Sequence, residues 1–203
     1  VLAALSKRTY YNDARLSSSE PAYDDADLYA QAVAHLASVL PADCKSGLRL
    51  DGSLRLLIDH ARFLYDIYLA RRFVEDDATP VVADLERVLL VLKSLLFHCP
   101  NDVKALVVDD LRLGQLALQL WRLSADDHAA LRAHLLHLVL NLIAGYDPGK
   151  VVLAGLSKRQ KRSGVLSGLV EIAVAGPNRA VLQCLQGFAA CPETLPVLLR
   201  AGV

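Results

Sequence analysis

Apolar positions recur along this chain at three- and four-residue steps. The longest instance runs from Ser53 to about Glu75, where Leu54, Leu57, Ile58, Ala61, Leu64, Tyr65, Tyr68 and Leu69 fall on one stripe of a helix. The opposite stripe carries Arg55, Asp59, Arg62, Asp66, Arg71 and Arg72, interleaved charges that read as a solvated face with i,i+4 pairing. Ser53 stands where an N-cap is expected, and Glu75-Asp76-Asp77 before Pro80 closes the run. Beyond Pro80 the same period predicts helices over Val81–Phe97, Asp102–Asp109, Leu111–Leu123, Asp126–Ala144, Val151–Leu156, Val165–Ala175, Arg179–Ala190 and Glu193–Arg200. Upstream, a short helix from Val1 gives way to a polar linker through Pro21, and Asp24 to about Leu40 reads as a helix stopped by Pro41. The pairs Asp24-Asp25 and Asp126-Asp127 suit the positive end of a helix better than a catalytic dyad. Strand-like alternation with hairpin turns is missing, so the chain is expected to be all-α.

One phrase is written three times within 85–203. An apolar helical run ends at a corner with Pro100, Pro148 or Pro192, and a short polar start then leads into a second apolar run. Aligned on the helix before the proline, Ser94, Asn141 and Gly187 correspond, 47 and then 46 residues apart. A period in the forties marks stacked helical units. Residues 36–50 read as a degenerate earlier copy. The chain therefore divides into a short helix and linker over 1–23, a degenerate helical region over 24–84 and well-formed units over 85–203.

Between Pro100 and Pro148 the pattern gives a short, a medium and a long helix, and the trio returns between Pro148 and Pro192. The segment Leu140-Asn141-Leu142-Ile143-Ala144, with Ala154-Gly155-Leu156 downstream, resembles the armadillo repeat, in which an Asn on the third helix precedes a corner, a short first helix and an Ala-Gly. Ser94 and Gly187 replace that Asn in the other copies, and His137 stands one turn before it. The resemblance implies a right-handed α-solenoid with third helices lining a concave face. The partner-binding residues it implies are Arg87, Ser94, His134, His137, Asn141 and Gln183. It further implies a non-catalytic protein or peptide scaffold, of the kind used in cytoskeletal, ciliary or centriolar assemblies. Ala201-Gly202-Val203 repeats the Ala-Gly element, so the chain is expected to be a fragment of a longer one.

Composition narrows the function classes. In 203 residues, 54% are apolar, which suffices for a sizeable core, while 22 basic residues balance 22 acidic ones. Without an overall field, neither nucleic acid nor an anionic membrane surface is an expected partner. Charges interrupt every apolar run too early for a membrane span. Cys44, Cys99, Cys184 and Cys191 sit in or beside apolar runs without C-x-x-C spacing, which fits packing thiols in the cytoplasm.

Five features invite a functional role and are weighed against simpler readings. His128, His134 and His137 share a predicted helix, and the last two share a face, but a third metal ligand is not evident. No metal or other cofactor is expected, and a metal-dependent hydrolase stays an alternative behind a scaffold or the regulatory domain of a larger enzyme. His98-Cys99 would point about 100° apart on a helix, a poor base and thiol pair, so Cys99 reads as core. Gly145-Tyr146-Asp147-Pro148-Gly149-Lys150 has three residues between its glycines where a phosphate loop has four, and a helix before it where that loop has a strand. The basic run 158–162 reads as an exposed connection or a localisation signal. Trp121, among Leu118, Leu120 and Leu123, reads as core.

Overall fold

The computed structural model describes residues 52–74, 77–123, 128–156, 165–176 and 178–200. The expected helices near Val1 and over 24–40, the degenerate copy at 36–50, the acidic pairs 24–25 and 126–127, the basic run 158–162, Cys44 and the final Ala-Gly lie outside them. Every regular element among the described residues is helical. The chain forms two compact units, dividing after Leu95.

In the first unit, α1 (Ser53–Phe73) packs on α2 (Thr79–Leu95). Leu54, Leu57, Ile58, Ala61 and Leu64 of α1 and Val81, Leu85, Leu89 and Leu92 of α2 are buried, as the apolar period requires. Each large side chain so buried contributes about 1.5–3 kcal/mol. Four expectations need correction. Gly52, with φ 90, occupies the N-cap position without a side-chain cap, and Ser53 is buried in the first turn. Leu69 is exposed, whereas Arg71 is buried and donates from Nη1 to the Asp77 carbonyl at 2.8 Å, so the charged stripe closes over α1 at its end. Asp59 pairs with Arg62 at 2.9 Å, three residues on where four were expected. Thr79 and Pro80 open α2 two residues early, because the proline ring fits a first turn that needs no N–H donor.

The second unit contains α3 (Asn101–Ala105), running into a π-helical turn (Leu106–Asp110), then α4 (Leu113–Leu123), α5 (Ala129–Ile143), α6 (Asp147–Leu153), α7 (Val165–Ala175), α8 (Arg179–Ala189) and α9 (Leu195–Arg200). The π-helical turn packs on α4, α4 on α5, α6 on both α4 and α5, α7 on α8, and α8 on α5 and α9. Pro148 lies in the first turn of α6, which therefore begins four residues before the expected Val151, for the same reason as at Pro80. Gly145 makes the corner between α5 and α6 with φ 64, a conformation costly for residues with a Cβ.

Four glycines lie close against a neighbouring helix, among them Gly149 of α6, where a Cβ would meet the Leu142 carbonyl oxygen of α5 at 2.8 Å. A Cβ on Gly114 of α4 would meet Val152 Cγ1 at 2.9 Å, one on Gly168 of α7 would meet Trp121 Nε1 of α4 at 2.6 Å, and one on Gly187 of α8 would meet Ile143 Cδ1 of α5 at 2.9 Å. At Gly168 the neighbour is a rigid indole, so only a hydrogen fits there, whereas at Gly114 and Gly187 the end of an aliphatic side chain would have to turn aside. Trp121 is buried as expected, with the Arg132 guanidinium 5.4 Å from its ring centroid.

The corners are tied by polar groups. Lys104 is buried and its Nζ donates to the Ala144 carbonyl, while Asn101 Nδ2 donates to the Gly145 carbonyl at 3.1 Å. Tyr146 donates its hydroxyl to Asp109 at 2.9 Å. Lys150 of α6 is buried likewise and pairs with Asp147 at 2.6 Å.

Candidate interaction face

The six sequence-selected residues fall on three helices. Arg87 and Ser94 belong to α2, in the first unit. Arg87 is exposed and donates to Asp84 at 2.8 Å, and Ser94 is half-buried near the C-terminal end of the helix. His134, His137 and Asn141 stand at i, i+3 and i+7 on α5 and so share one side of it. His137 is exposed with its ring held at 2.8 Å from the Ala133 carbonyl by Nδ1, and His134 and Asn141 are half-buried beside it. Gln183 is exposed on α8.

The helix that carries Gln183, α8, packs along α5. Leu136 and Ile143 of α5 mark the seam, the first through its carbonyl 3.7 Å from the Cys184 thiol and the second through its contact with Gly187. Leu131, Leu135, Leu138 and Leu142 bury the opposite side of α5, and Val181, Leu185 and Phe188 do the same for α8. The amphipathic pattern thus turns Ala133, His137 and Ala144 of α5 and Gln183, Gln186 and Ala190 at α8 outward together. Gln186 was not among the selected residues. Its position one turn after Gln183 was the signal available.

No family model, curated protein or solved structure matches this chain.

The other chemical candidates settle into structural places. Burial pushes the Cys184 thiol up to about 12, far from the range of a nucleophilic cysteine. Cys99 is buried next to exposed His98, whose ring meets Phe97 edge-on at 4.1 Å between centroids. Cys191, also buried, donates its thiol to Glu193 at 3.0 Å, and that hydrogen bond lowers the Glu193 pKa. Burial, reinforced by Asp109, pushes the Tyr146 hydroxyl up to about 12. His128 sits at the N-terminal boundary of α5, and among the described residues no three His, Cys, Asp or Glu side chains cluster as a metal would require. The face offers imidazole and amide groups for hydrogen bonding. Among the described residues no helix is long and apolar enough to cross a membrane.

Proposed function

We propose that this chain is a non-catalytic scaffold or adaptor for a protein or peptide partner, built as a right-handed α-solenoid of armadillo-like three-helix repeats and working in the cytoplasm. The observation that carries the reading is the lateral packing of α8 on α5, the third helices of consecutive copies of the repeated phrase, through Gly187 and Ile143. A helix that buries one stripe in its own unit and a second against its successor is what a stack requires. The hydrogen bonding of Asn101 and Lys104 to the next corner supports it. Exposed His137 and Gln183 then supply the binding face, with half-buried His134 and Asn141 flanking it; Arg87 and Ser94 hold the corresponding positions on α2.

The test is affinity capture with the intact chain, compared with the His137→Ala, Asn141→Ala double variant. Loss of a captured partner by the variant, with an unchanged circular dichroism spectrum, is expected. A partner retained at full strength would place recognition elsewhere.

A further inference from the structure

We draw no further inference here: the strongest candidate, the exposed apolar patch of Leu69, Phe73 and Val74 at the C-terminal end of α1, carries nothing because nothing in the structure shows what covers it.

Discussion

Substituting Gly168 by alanine tests the packing of the second unit at a point where two effects oppose each other. Glycine inside a helix costs about 0.5–1 kcal/mol relative to alanine, so the substitution in α7 should stabilise if nothing else changed. The added Cβ, however, would lie 2.6 Å from Trp121 Nε1, 3.2 Å from Cε2 and 3.4 Å from Cζ2. The indole is rigid, buried, and covered by Arg132, so it has little freedom to withdraw. Overpacking of this kind costs about 1–3 kcal/mol, which exceeds the propensity gain. We expect Gly168→Ala to lower stability by about 1–2 kcal/mol, or a few degrees in Tm for a chain of this size. Trp121 is the only tryptophan, so its fluorescence followed through urea unfolding reports on the same contact. Gly176→Ala is the control: nothing lies within 4 Å of its added Cβ, and the change should be neutral or stabilise by up to about 1 kcal/mol. Gly168→Ala as stable as Gly176→Ala, with unaltered emission, would refute the contact between α7 and α4.

Three other outcomes are expected. Tyr146 keeps its proton to higher pH when folded than when unfolded, so the folded form binds more protons between about 10 and 12 and stability falls as pH rises through that window. Tyr146→Phe should flatten that part of the pH–stability curve measured by urea titration, and an unchanged slope would contradict the Asp109 contact. The Cys184 thiol is likewise held protonated by burial, and Cys99 and Cys191 are buried, so mass-mapped alkylation of these three under native conditions should proceed only as fast as the chain opens. Labelling at the rate of a free thiol would place them outside the core. Lys104→Met should remove the bond to the Ala144 carbonyl and cost about 1–3 kcal/mol in thermal unfolding; a neutral result would show the corner holds without it.

The helices were legible because Leu, Val and Ala recur with the helical period so regularly that burial leaves one solution for each segment. Boundaries were less so. Pro80 and Pro148 were read as breaks ahead of helices, whereas both lie inside first turns, where proline is tolerated. The π-helical turn at Leu106–Asp110 has no period of its own and was absorbed into a predicted helix. Lys104, Lys150 and Arg71 were illegible as interior residues, since a charged side chain reads as solvated until a carbonyl or carboxylate from elsewhere in the fold is placed against it. Of the proposed face, His137 and Gln183 followed from the repeated phrase, while Gln186, one turn after Gln183 on exposed α8 surface, was passed over.

The claim on which the functional reading stands is that α5 and α8 lie side by side as consecutive units of a stack. A double-mutant cycle at their seam measures it. Gly187→Ala places a Cβ 2.9 Å from Ile143 Cδ1, and Ile143→Val removes that atom. Alanine also gains about 0.5–1 kcal/mol of helix propensity and the methyl end of Ile143 can turn, so the substitution should be close to neutral alone and stabilising in the valine background, a coupling of about 1 kcal/mol. Strictly additive effects would mean that the two residues do not touch, and would contradict the stack.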